Sequence, residues 1–319
     1  MSSTIATPAI RLEPAYDDPT AVLASIRAID EWWPLARYAA SAEEMAAAGG
    51  GATTKAYVPP WFRCDVALDG AALVPGADRI LGNPGFVDAA HRIFGADADV
   101  APTAVYVNVM LPSAVPFIPH VDVPAFRGVT RADHPVWLLK VMLESGLFEP
   151  WRITLATAVS WFYDGPGGAF HYWPEGPDRP PDVVEPPFGN VAVVADNERT
   201  YHGVESVGGD PEAVVRGLTF DSWLHRIDGG WEMREGDSVI GSAADAETRV
   251  TVSWKAEVVP AGVEAPADDL TLDRVVDVLL ADLARRGLDA AAPDDPHHDR
   301  GWVRRLTEAY AIPPPPIPG

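Results

Sequence analysis

Between residues 102 and 259, short runs of β-branched and aromatic residues alternate with Gly, Pro and Asp turns, and this rhythm constrains the fold most. Period-2 runs bounded by turn residues are strand signals, and several in succession argue for an antiparallel sandwich or barrel. The runs fall at 103–110, 117–123, 135–143, 153–163, 190–196, 200–207, 213–224 and 249–258. Eight of them predict a mainly β core with flanking helices, an α+β chain around a jelly-roll or cupin-like double sheet. The Pro-rich stretch 174–188 reads as a surface loop.

Helical signals flank this core. Asp18-Pro19-Thr20 starts a helix carrying Val22, Ile26, Ile29 and Trp33 at 3–4 spacing. Ser41 to Glu44 offers a second start, and Gly85 to Phe94 reads as a short helix. Pro59-Pro60-Trp61 reads as a loop that packs an aromatic. Over 268–287, Leu272, Val275, Val276, Leu279, Leu280 and Leu283 form an apolar stripe behind a cap at Asp268 or Asp269. A last helix is expected over 299–311, followed by an extended Pro313–Pro316 run. The expected organisation is 1–101 as an N-terminal helical and irregular segment packing on the core, 102–259 as the double-sheet core, and 260–319 as a C-terminal helical segment and Pro-rich tail. Together they form one structural domain.

Charge narrows the partners. The net charge is −22, spread along the chain, with Lys only at 55, 140 and 255. Phosphate-binding surfaces need clustered Lys and Arg, so nucleic acid is disfavoured, and an anionic membrane surface equally so. The charge is best read as solubility and coding bias. Cys64 is the single cysteine, which excludes an internal disulfide and fits a reducing compartment. The N-terminus lacks a basic stretch followed by an apolar one, and no apolar run approaches about 20 residues, so a cytoplasmic protein is expected.

The chemistry centres on His120-Val121-Asp122. Residues i and i+2 of a strand share a face, so an H-x-D aims an imidazole and a carboxylate into one cavity. With a second His this makes a 2-His-1-carboxylate triad with open positions, the ligand set of non-heme Fe(II) oxygenases. A chance H-x-D is common, so downstream context decides. It comprises Gly167-Gly168, then Pro186-x-x-Gly189-Asn190-Val191, then His202-Gly203-Val204-x-x-Val207. In this order the segment 102–259 resembles the Fe(II)/2-oxoglutarate-dependent dioxygenases. The resemblance implies a double-stranded β-helix, with His120, Asp122 and His202 as iron ligands and O2 and 2-oxoglutarate as co-substrates. Asp122 fills the position that halogenating relatives leave to a small residue, which disfavours halogenation.

The resemblance also implies a basic residue beyond the second His to hold the distal carboxylate of 2-oxoglutarate. Arg216 is the first choice: a turn centred on residue 209 sets His202 and Arg216 opposite each other, and opposed residues share a face. A guanidinium suits a carboxylate bidentately. Leu218 departs from the R-x-S form common in the family. Arg249, followed by Thr251 and Ser253, is the second choice.

Tyr106 and Asn108 share a face of the preceding strand, and the resemblance sets such residues against the co-substrate; the alternative is a core Tyr and a turn-forming Asn. His171 and Trp173, beyond the Gly-Gly pair, and Arg127, just past the H-x-D, are substrate candidates. Their ordinary readings are a loop histidine, core or rim packing, and a surface arginine. Arg131 is placed with Arg127. Lys140 interrupts an apolar strand and needs either solvent or an anion. His297-His298-Asp299 reads as a solvated loop.

No phosphate-loop, nucleophile-elbow or H-E-x-x-H motif is present. The expected activity is hydroxylation of an unactivated C–H of a small molecule (an amino acid, peptide or natural-product intermediate) with release of succinate and CO2. Desaturation and cyclisation are open on the same scaffold. The loops 124–134 and 165–187 are expected to shape the substrate end. Two other readings stand beside this one: a cupin-like metalloenzyme that does not use 2-oxoglutarate, and a non-enzymatic β-sandwich binding module.

Overall fold

The computed structural model describes residues 7–39, 58–210, 212–264, 266–310 and 315. The expected helix start at Ser41 to Glu44 lies outside them. The strands are β1 (Ile10–Leu12), β2 (Glu31–Pro34), β3 (Trp61–Leu68), β4 (Ala71–Ala72), β5 (Asp99–Met110), β6 (Phe117–His120), β7 (Ala125–Phe126) and β8 (Arg152–Phe162). They continue as β9 (Phe170–Trp173), β10 (Asp182–Val184), β11 (Ala192–Ala195), β12 (Tyr201–Val204), β13 (Trp223–Ile227), β14 (Gly230–Glu235), β15 (Ser238–Ala244) and β16 (Arg249–Val259). The helices are α1 (Pro19–Arg27), α2 (Ala36–Ala39), α3 (Asp78–Leu81), α4 (Pro84–Phe94), α5 (Val136–Ser145), α6 (Leu272–Arg285) and α7 (Arg300–Tyr310). None is long and apolar enough to cross a membrane.

Two antiparallel sheets form the core. The larger runs β1-β11-β8-β16-β5-β3-β2-β13-β14-β15, and the smaller runs β10-β9-β12-β6. The segment β11-β8-β16-β5 packs against the smaller sheet through Val159, Trp161 and Val193 on one side and Phe170, Tyr172 and Val204 on the other. Two four-stranded antiparallel layers in this order are a double-stranded β-helix, as the strand rhythm and the resemblance led us to expect. Strands β3 and β2 extend the larger layer beyond β5, so Trp61 begins a strand instead of lying in a loop.

Alternation along β16 separates two environments. Val250, Val252 and Trp254 pack into the outer core, with Phe86 and Ala89 of α4 and Ile26 of α1. Arg249, Thr251 and Ser253 point into the interior between the sheets. A third core joins α5, α6 and α7 around Phe126, Phe148, Leu279 and Leu306.

The helix ends follow capping chemistry. Asp18 accepts from the Ala21 N–H and Asn83 from the Gly85 N–H, both at 2.9 Å. The cap of α6 is Thr271, not Asp268 or Asp269.

Two expected strands are absent. The run 135–143 is helix α5, which buries Leu138, Leu139, Val141 and Met142. It begins after Pro135 and stops at Gly146, whose φ of 68° allows the left-handed C-cap. The stretch 213–222 is irregular, and the strand begins only at Trp223, in the β13–β15 meander. The 174–188 loop contains β10, paired with β9.

Candidate metal centre

The smaller sheet positions the two histidines. His120 closes β6 and His202 lies on β12, in direct cross-strand register, with ring centroids 4.4 Å apart. Opposed residues of an antiparallel pair share a face, so both imidazoles enter one cavity. Each ring is fixed by its own chain two residues upstream: Nδ1 of His120 donates to the Ile118 carbonyl at 2.9 Å, and Nδ1 of His202 to the Thr200 carbonyl at 3.0 Å. A hydrogen on Nδ1 leaves the Nε2 lone pair free, the tautomer a metal needs. Burial, and then the neighbouring His202, push the His120 imidazole down to about 3, so it stays neutral.

Asp122 lies just past the end of β6, and its N–H donates to the Asn197 carbonyl at 2.8 Å. Its Oδ1 sits 3.5 Å from His202 Nε2, while Oδ2 accepts from Lys255 Nζ at 2.7 Å. Burial alone would raise this carboxyl; Lys255 and His202 outweigh it and hold Asp122 well below the usual carboxylate range. Among the described residues, His120, Asp122 and His202 are the group whose potential ligand atoms all lie within 4.8 Å of one another. Two imidazoles held through Nδ1 and one ionised carboxylate on one side of a cavity fit a divalent borderline cation.

Deeper in the same cavity lies Arg249, fully buried. Its Nε donates to the Gly168 carbonyl at 2.8 Å and its Nη1 to the Thr251 hydroxyl. Among the described residues its Nη2 has no hydrogen-bond partner and no carboxylate pairs with it. Burial pushes the guanidinium down to about 9, the signature of a desolvated cation that lacks an anion. Trp161 Nε1 and Asn108 Oδ1, on the same cavity wall, are also buried without partners. Three orphaned polar atoms in one cavity mark a place shaped for a polar ligand. Gly168 has a structural reason here: its φ is +74°, and a Cβ would stand 3.0 Å from the Arg249 side chain.

The cavity brings together His120, Asp122, His202, Tyr106 and Asn108, with Phe117, Asn197, Trp161, Thr251 and Ser253 around them. The remaining candidates lie elsewhere. Arg216 is exposed on the irregular 213–222 stretch, because β12 pairs with β6 and β9 and forms no hairpin with the residues after it. The residue opposite His202 is His120, and the buried arginine is Arg249. On β9, Tyr172 opposes His202, so His171 and Trp173 point out of the other face. There His171 Nε2 pairs with Glu205 at 2.8 Å, and Trp173 packs with Val121 and Tyr201.

Arg127 is taken up by Asp269 at 2.8 Å and by the Pro266 carbonyl, tying the 124–134 segment to the C-terminal region. Arg131 donates to the Tyr38 and His134 carbonyls. Lys140 sits half-buried on helix α5 instead of a strand. His297 pairs with His134 at 3.0 Å and is not simply solvated.

Residues missed in the sequence are Lys255, Asn197 and Thr157. A signal existed for the first: Arg249, Thr251, Ser253 and Lys255 place a polar residue at every second position of a strand whose other positions are apolar.

No protein-family model and no curated protein sequence matches the chain. Solved structures do. An oxidoreductase of the 2OG-Fe(II) oxygenase family from Burkholderia pseudomallei is 16% identical over 78% of this chain and 85% of its own, with a TM-score of 0.41. A prolyl-4-hydroxylase from Pseudomonas putida is 12% identical over 78% and 91%, with a TM-score of 0.36. HygX from Streptomyces hygroscopicus, with nickel, 2-oxoglutarate and hygromycin B bound, is 10% identical over 84% and 90%, with a TM-score of 0.40. At such values the roles of individual residues rest on the chain's own geometry.

Proposed function

We propose that the protein is an Fe(II)- and 2-oxoglutarate-dependent oxygenase that hydroxylates a C–H bond of a small molecule. The observation that carries this reading is the pairing, in one cavity, of a 2-His-1-carboxylate set with a fully buried arginine that has no carboxylate partner among the described residues. A cupin-like enzyme without 2-oxoglutarate would have no use for that arginine, and a passive binding module none for the tautomer-locked histidines.

Bound Fe(II) supplies the O2-binding and redox chemistry for which this ligand set leaves open positions. The chain's own residues do the rest. Nε2 of His120, Nε2 of His202 and Oδ1 of Asp122 hold the metal. Arg249 takes the distal carboxylate of 2-oxoglutarate through its free Nη2, with the Thr251 hydroxyl and the Trp161 N–H as further donors. Tyr106 and Asn108 line the wall beside the co-substrate. Phe117, Val159, Phe170 and Val204 exclude water from it. Arg249 makes its end of the cavity locally cationic inside an acidic protein, which suits a dianionic co-substrate.

The test is anaerobic titration with Fe(II), with and without 2-oxoglutarate, followed by the weak visible charge-transfer absorption of a keto acid chelated to iron. A band that requires both components supports the reading. Metal binding unaffected by 2-oxoglutarate would replace it with the cupin-like alternative, and no metal binding would remove both. Succinate release across a panel of amino acids, peptides and natural-product intermediates then identifies the substrate.

A further inference from the structure

Lys255 is one of three lysines in the chain, and it is spent inside the barrel. It lies on β16 opposite Thr157 of β8, with its side chain only 14% exposed. Its ammonium donates to Asp122 Oδ2 at 2.7 Å and to the Thr157 hydroxyl at 3.2 Å. Lys255 thus takes one oxygen of the carboxylate and leaves the other, Oδ1, turned toward His202 Nε2 at 3.5 Å. A carboxylate this enclosed is unfavourable without a counter-charge, and removing one partner of a buried pair leaves the other uncompensated.

We propose that Lys255 is the counter-charge residue of the metal centre: it compensates Asp122 through Oδ2 where a bound cation would otherwise do so, and it leaves Oδ1 on the side of the two histidines. The inference rests on the metal-binding part of the proposed function. Its hydrogen bonds go to Asp122 and Thr157 and to neither imidazole, so its action on the metal centre runs through Asp122.

The prediction follows from charge. Without the ammonium, a divalent cation becomes the chief compensation for Asp122, so metal should stabilise the variant more than it stabilises the wild type. The experiment is thermal unfolding of the full chain with and without Co(II), for wild type, Lys255→Met and Lys255→Arg, with Co(II) binding measured by calorimetry. Metal-free Lys255→Met should unfold at least about 5 °C below wild type. Co(II) should raise its midpoint by more than it raises that of the wild type, and Lys255→Arg should recover most of the metal-free loss. Equal Co(II)-induced rises in wild type and Lys255→Met would overturn the proposal, because a lysine that merely packs is not replaced by a metal. Absence of Co(II) binding to the wild type would instead sink the metal-site reading itself.

Should Lys255→Met not fold, the double variant Asp122→Asn/Lys255→Met decides the matter. It carries neither charge and is expected to fold; failure to fold would show that Lys255 serves packing and not Asp122.

Discussion

Two cations lie on one strand, at Arg249 and Lys255 of β16, and the fold treats them in opposite ways. Lys255 has a carboxylate at 2.7 Å and a hydroxyl behind it. Arg249 has a carbonyl, a hydroxyl and a thioether around it but, among the described residues, no anion, and one Nη is left over. Burial penalises both charges. For Lys255, Asp122 above all outweighs that penalty and holds the ammonium above its usual range; for Arg249, little opposes it. A paired cation is finished structure, whereas an unpaired one is structure awaiting a ligand. The comparison divides the cavity into an end that serves the metal ligand and an end that serves an anionic guest.

The sharpest way to break this division is Arg249→Leu. Losing a buried charge-assisted contact costs about 3 kcal/mol, so 2-oxoglutarate affinity should fall by roughly a hundredfold while Co(II) affinity barely moves. Calorimetry with each ligand separately checks this, and parallel losses would show the two ends to be one unit. Thr251→Val acts more gently. It strips Arg249 of its hydroxyl acceptor, and a roughly tenfold weaker 2-oxoglutarate affinity is expected, about 1.4 kcal/mol.

Next comes Glu198, fully buried near Lys255, with one oxygen on Arg152 and the other unpartnered. Burial, and then Asp196, raise its carboxyl to about 8. The folded state therefore keeps a proton that the unfolded chain releases. The corresponding stability is fully present below the ordinary carboxylate range and is lost as pH rises through about 8. Denaturant titrations across that window should show the loss in wild type and a flatter profile in Glu198→Gln. Smallest of all, Arg216→Ala should leave both ligand affinities within about twofold, as expected of an exposed side chain. A marked loss of 2-oxoglutarate binding there would return the anchor to the position first read from the sequence.

The double sheet was legible because turn residues punctuate period-2 runs, and H-x-D followed by H-G-V was legible because its residue types are few and ordered. What misled was locality. Val136 to Leu143 is apolar throughout, and such a run does not separate strand from buried helix by periodicity; Pro135 before it and Gly146 after it carried the helical signal. The rule that opposed residues share a face was sound but was applied to the wrong pair. A hairpin there needs the strand after β12 to follow at once, whereas the β13–β15 meander intervenes and β12 pairs with β6 and β9. Likewise, His171 and Trp173 are one residue out of phase with Phe170 and Tyr172, and one residue is enough to change faces.

The place of β16 in the chain has a consequence for biosynthesis. Among the described residues it is the last strand to be made, yet it sits between β8 and β5, pairing along 154–162 and 99–110. A nascent chain emerging in order holds β5 and β8 with their facing edges unpaired until residues 249–259 arrive, and such edges invite association with other chains. Both histidines and Asp122 are made before that strand, whereas Arg249 and Lys255 arrive on it. Closing the sheet and neutralising the carboxylate are thus one event, and a ribosome that stalls before residue 249 leaves a barrel both open and electrostatically unfinished.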